Sequence, residues 1–211
     1  MSYDVWLVKL RAGLSREEAE QLLAAEYQRL LREANEDVED EEEESEDDFA
    51  PLNIADKSLA AETFDKLLMK PYVRQFVDPE LLSEEQKAWL ADDSSPLPPK
   101  GMTEDIRTLD DRLDIECDPG ARGFPFAHRW ELLGPSLRRF AAFAREMCQH
   151  HPFLIFDDAT YKLYDPFQDE ERWLKEAKAA VDEHAQDTLE FIRDFHAREG
   201  DGDEATILGP L

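Results

Sequence analysis

The stretch YDVWLVKL (Tyr3–Leu10) decides how the rest of the chain is read. It is rich in β-branched and aromatic residues, and VWLV (Val5–Val8) is nearly continuous in apolar character. Such a run predicts a strand, and a central one, because a strand with one wet face alternates instead. Gly13 breaks it. Ser15 with Glu18 then makes a capping-box pattern. Ala19, Leu22, Leu23, Tyr27, Leu30 and Leu31 follow at helical spacing, which predicts a helix to about Ala34.

Beyond that helix lies EDVEDEEEESEDD (Glu36–Asp48), with 11 acidic residues. Mutual repulsion and the lack of apolar groups predict a solvated, disordered loop. Lys57 to Lys70 places Leu59, Ala60, Phe64, Leu67 and Leu68 on one helical face, and Pro71 is expected to stop that helix. Ser83 with Gln86 caps a short helix carrying Trp89 and Leu90. DDSSPLPPKG (Asp92–Gly101) reads as a Pro-rich linker.

Alternation resumes at Leu113, Ile115 and Cys117, and again at Phe124, Phe126, His128 and Trp130. With turn residues from Asp118 to Gly123 between them, the two runs predict a hairpin. Pro125 argues that the second strand is an edge or begins after it. Gly134-Pro135 is expected to open a helix with proline at its first position. Its stripe is Leu137, Phe140, Ala141, Ala144, Met147 and Cys148, and Pro152 ends it. Phe153–Phe156 and Tyr161–Tyr164 read as short strands joined by a turn at Asp157 and Asp158. Asp165-Pro166 with Gln168 is expected to cap a long helix with Trp173, Ala177, Val181, His184, Thr188, Ile192 and Phe195 along one face.

This order predicts an α+β fold: a mostly antiparallel sheet with helices packed on one face and an acidic disordered loop inserted. One domain is expected over residues 1–200, with the mobile loop at about 36–48, the linker at about 92–101 and a frayed tail at 201–211.

The 211 residues carry 51 Asp and Glu against 24 Lys and Arg, a net charge of -27. Subtracting the 11 charges of the acidic run still leaves -16, so the acidity belongs to the whole chain. Such a surface repels phosphate backbones and anionic lipid heads, which argues against nucleic acid and membrane as partners and favours a basic protein. Solubility is the plainer use of the same charge. Two cysteines, Cys117 and Cys148, do not make a disulfide framework, and their apolar neighbours suggest buried thiols in a reducing compartment. No basic-then-apolar leader pattern opens the chain and no apolar run nears the length that spans a bilayer, so the cytoplasm is the expected location.

No catalytic, cofactor-binding or metal-binding set can be read. His150 and His151 are adjacent and point apart, no HExxH or CxxC occurs, and neither the acidic run nor Asp201-Gly202-Asp203 has the spacing of a calcium loop. Cys148 and His151 lie one helical turn apart, yet no oxyanion-stabilising glycine turn adjoins them. Phosphate-cradling glycine patterns are absent too. His128 and His184 read as half-buried structural histidines. Asp157, Asp158 and Asp165 could face a cleft, though turn and capping duty is the simpler role. Candidates for partner contact are Glu41, Glu42, Glu43 and Glu44 of the acidic run, Trp89 as an exposed aromatic anchor, and Asp157 and Asp158.

The opening SYDVWLVKL (Ser2–Leu10), the helix PSLRRFAAFAREMCQHHPF (Pro135–Phe153) and the strand ending KLYDP (Lys162–Pro166) resemble small bacterial proteins of polymorphic-toxin and secretion loci. The resemblance covers Met1–Leu10 and about Pro135–Pro166. Many such proteins are immunity proteins. It implies an antitoxin-like inhibitor of a cognate basic toxin such as a nuclease, and carries over no catalytic residue. Two other classes stand beside it: an acidic adaptor or chaperone for an effector, and a metal-assisted hydrolase using carboxylates between Asp157 and Asp165.

Overall fold

The near-continuous apolar run of the first strand is explained by burial on both sides. The computed structural model describes residues 2–35, 53–92, 117–118, 121–127 and 129–199. In it β1 (Ser2–Lys9) is the middle strand of an antiparallel sheet. The other strands are β2 (Cys117–Asp118), β3 (Ala121–Ala127), β4 (Phe153–Asp157) and β5 (Lys162–Tyr164), in the order β2-β3-β1-β4-β5. Successive side chains of a strand point to opposite faces. Tyr3, Val5 and Leu7 accordingly enter one apolar cluster, and Trp6 and Val8 enter another.

The helices divide between those faces. The first is α1 (Arg16–Asn35), then α2 (Ala61–Phe76), α3 (Glu84–Ala91), α4 (Trp130–Met147) and α5 (Glu170–Glu199). Residues of α2, α3, α4 and α5 cover the face of Tyr3, Val5 and Leu7, and that face holds most of the core. An aromatic group fills it. Tyr72 stacks on Phe124 at 5.9 Å, and Phe124 meets Phe140 and Phe143 edge-on at 5.0 and 5.5 Å. Edge-to-face contact suits the quadrupoles of aromatic rings. The α+β fold and the mostly antiparallel sheet are therefore present, with most helices on one face. The exception is α1, whose Ala19 and Leu23 pack against Trp6, Val8, Phe156 and Leu163 on the other.

Local signals fixed several ends. Ser15 and Glu18 form the capping box, with the Glu18 amide donating to Ser15 Oγ at 3.2 Å and the Ser15 amide to Glu18 Oε2 at 2.9 Å. Ser83 and Gln86 do the same at 3.3 and 2.7 Å. Gly13 has φ +82, a left-handed turn conformation that suits glycine between β1 and α1. Gly123 serves a close approach: a Cβ there would lie 3.1 Å from the indole of Trp6, its cross-strand partner.

Other expectations are corrected. Pro71 does not stop α2, and Pro135 does not open α4; both lie inside their helices. In α2 the residues straddling the proline, Leu68, Met69, Tyr72 and Val73, are all buried, so packing offsets the missing backbone bond. Trp130, read as strand, is the first residue of α4. The hairpin is tighter than expected, because Ala121 and Arg122 already pair with Asp118 and Cys117. Pro125 sits within β3, opposite Asp4. The Asp4 carbonyl accepts from Asp158 on the β4 side, so Asp4 and Pro125 are a non-bonded pair and the β1–β3 ladder loses no donor at the proline. Tyr161 belongs to the turn before β5, with φ +56. The long helix starts at Glu170, one turn later than expected, with Asp169 before it. Leu22, Tyr27 and Leu31 of the α1 stripe are exposed. The acidic run, most of the Pro-rich linker, His128 and the tail lie outside the described residues.

Candidate functional site

Three segments far apart in sequence meet at one end of the sheet. Leu10, Arg11 and Leu14 follow β1, Cys148, Pro152, Phe153 and Leu154 lie around the start of β4, and Asp165, Pro166 and Phe167 follow β5. They line a groove of about 470 Å³. Leu10, Leu14, Pro152, Leu154, Pro166 and Phe167 give it an apolar wall, with Arg11 and Asp165 as its charged groups.

The β5–α5 turn is held in place by polar contacts. Asp165 Oδ1 accepts from the Phe167 amide at 2.8 Å, and Asp169 Oδ2 accepts from the Asp165 amide at 2.9 Å. Arg145 donates to the Pro166 carbonyl at 3.0 Å and pairs with Glu170 at 2.5 Å. Arg16 reaches from α1 to Asp169 at 2.7 Å. Burial alone would raise the Asp169 carboxyl, but the Asp165 amide and Arg16 outweigh it and hold the carboxyl below its ordinary value. Against this fixed turn Phe167 is 64% exposed.

The thiol in the groove is not an activated nucleophile. Cys148 is half-buried, not fully buried, and its Sγ donates to the Phe153 carbonyl at 3.3 Å. Burial pushes the thiol up, away from the thiolate. His151 packs edge-on against Phe153 at 5.9 Å, and burial together with the Lys9 charge lowers its imidazole. The thiol and imidazole one helical turn apart are thus engaged separately. Among the described residues, no group of three or more His, Cys, Asp or Glu side chains could hold a metal ion. The groove offers apolar contact surface and two charged groups.

The residues singled out from the sequence fall elsewhere. Asp157 is fully buried and cannot touch a partner. Its Oδ2 accepts from Tyr3 Oη at 2.5 Å and Trp173 Nε1 at 2.6 Å, joining β1, β4 and α5. Burial pushes this carboxyl up to about 6, although both donors favour its charged form. The same burial, with the neighbouring Asp157 charge, drives the Tyr3 hydroxyl far above its ordinary value. Asp157 also does turn duty, taking the Thr160 amide on Oδ1 and the Tyr161 amide on its carbonyl. Asp158 beside it is exposed, its carboxyl raised by partial desolvation and by Asp4.

Trp89 is corrected outright: it is 5% exposed and belongs to the main core, with Lys70 Nζ 5.0 Å from its ring centroid. Glu41, Glu42, Glu43 and Glu44 lie outside the described residues. Nothing in the sequence flagged the groove, because its lining comes from separate connections. The one available signal was a phenylalanine set directly behind an Asp-Pro turn. Among the described residues, no helix is long and apolar enough to cross a membrane. The chain matches no protein-family model, no curated protein and no solved structure.

Proposed function

We propose that the chain is an immunity-type inhibitor, which captures a basic toxin and covers its active site. The carrying observation is how its charge is distributed. Arg16, Arg74, Arg138, Arg145, Lys162 and Lys178 each pair with a carboxylate of the chain itself. These cations are spent internally, while the chain as a whole keeps a charge of -27. The field it presents is therefore negative, and it accelerates encounter with a basic surface. Carboxylates would occupy the places that phosphates take in a nuclease. Exposed acids alone give a complex that salt dissolves, so affinity also needs apolar anchoring, which the groove supplies.

The test is affinity capture from the source cell at low and high salt, followed by an activity assay of whatever is captured. One stoichiometric basic protein, retained at high salt and silenced by the chain, is the expected result. A salt-labile mixture would sink the proposal. A retained partner whose activity is untouched would replace the inhibitor with an adaptor or chaperone.

A further inference from the structure

We propose that the ion pair of Arg16 and Asp169 is a latch on the outer edge of β5, and that opening it lets two copies of the chain join edge to edge at Leu163. The proposal stands apart from the inhibitor reading.

The strand register shows which backbone groups this edge presents. β5 ends the sheet, with β4 as its neighbour. Backbone groups of successive residues in an antiparallel strand turn to alternate sides. The Asp158 amide donates to the Asp4 carbonyl, so Asp158 and Phe156 bond toward β1, whereas Asp157 and Ile155 bond toward β5. Their partners Lys162 and Tyr164 therefore face inward, and Leu163 and Asp165 face out. Outward backbone groups on an edge strand are a template for a further strand. Here side chains take that strand's place. Arg16 Nη2 donates to the Leu163 carbonyl at 2.8 Å, and Asp169 Oδ2 accepts from the Asp165 amide at 2.9 Å. Arg16 Nη1 meets the same Oδ2 at 2.7 Å. A donor and an acceptor, tied to each other, thus fill the positions that one residue of an added strand would take opposite Tyr164.

The symmetry of the edge selects the occupant. Leu163 turns both its amide and its carbonyl outward. Two copies related by a two-fold axis can therefore exchange amide-to-carbonyl bonds at this single residue, which makes the edge complementary to itself. Arg16 stands in the way. It reaches over from α1, and its Nε is held by Glu20 at 2.9 Å. Charge also opposes pairing, since each copy carries -27. Salt screens that long-range repulsion more than it weakens a partly buried ion pair.

Three variants of the full-length chain test this. Arg16→Met keeps the apolar stem and removes the donors. Asp169→Ala opens the edge from the other side, and Glu20→Gln loosens Arg16 without baring the edge. Each is compared with the parent by sedimentation at low salt and at about 1 M sodium chloride, where charges are screened beyond about 3 Å. Near-UV circular dichroism reports whether the chain stays folded, and amide exchange in NMR reports the edge. The parent and Glu20→Gln are expected to remain single copies. In dilute Asp169→Ala the Asp165 amide should exchange at least about tenfold faster, the size of one lost charge-assisted bond. On concentration in high salt, the two edge variants should reversibly form pairs in which exchange of the Leu163 amide slows. Such pairing by either folded variant supports the latch. If both stay folded and single, the latch is overturned. Association centred on Phe167, or on Leu22 and Tyr27 of α1, overturns the edge assignment. Pairing of the parent through Leu163 overturns the latch too, because the edge would already be open. Association only with loss of the near-UV signal, or unfolding of both variants, makes the ion pair a support of the fold instead and overturns the proposal.

Discussion

Asp157 shows how much one side chain can tie together and what that costs. Its carboxyl is raised from 3.8 to about 6 in the folded chain. A raised value means the folded state holds the proton more tightly. The stability it contributes is therefore full below about pH 4 and is lost as pH climbs through about 6. The shift corresponds to about 3 kcal/mol. Asp157→Asn removes the titration. The stability difference between parent and variant, followed by denaturant unfolding from pH 3.5 to 7, is expected to move against the parent by that amount. A flat difference would mean that Tyr3 and Trp173 compensate the buried charge fully. Gly123 gives a second residue-level expectation. Ala there pushes on the Trp6 indole and should lower stability by roughly 1–3 kcal/mol in thermal unfolding, as overpacking does. Trp6→Phe in the same background should recover part of the loss.

At the level of elements, what was legible was whatever a few neighbouring residues decide. The β1 run, both capping boxes and the Leu137–Met147 stripe needed only local chemistry. Ser83→Ala should accordingly cost about 1 kcal/mol, because it orphans the Gln86 amide. Hydrogen exchange localised to α3 would check it. What was not legible depended on distant packing. Pro71 and Pro135 are helix breakers by local rules, yet they lie in helices whose surrounding residues are buried. Trp89 looked free because its helix is short and capped, whereas its indole is covered by core residues of other elements. Three connections close the groove, and no window of sequence contains all of them.

For the whole molecule, the net charge of -27 sets the response to salt. Self-repulsion of like charges opposes the compact state and is screened by ions. The melting temperature is expected to rise with sodium chloride, and deleting Glu36–Asp48, which leaves -16, should shrink that rise. An undiminished rise would place the repulsion among the carboxylates of the helices and strands. If the acidic run only solvates, the deletion also leaves partner affinity intact. The sheet topology has a separate consequence for synthesis. Residues of β1 pair with residues 121–127 and 153–157, so this greasy strand leaves the ribosome long before either neighbour exists. At about 5–20 residues per second it waits on the order of ten seconds. Nascent chains arrested short of residue 121 should be protease-sensitive and held by chaperones, and those that have released residue 164 should acquire resistance in one step.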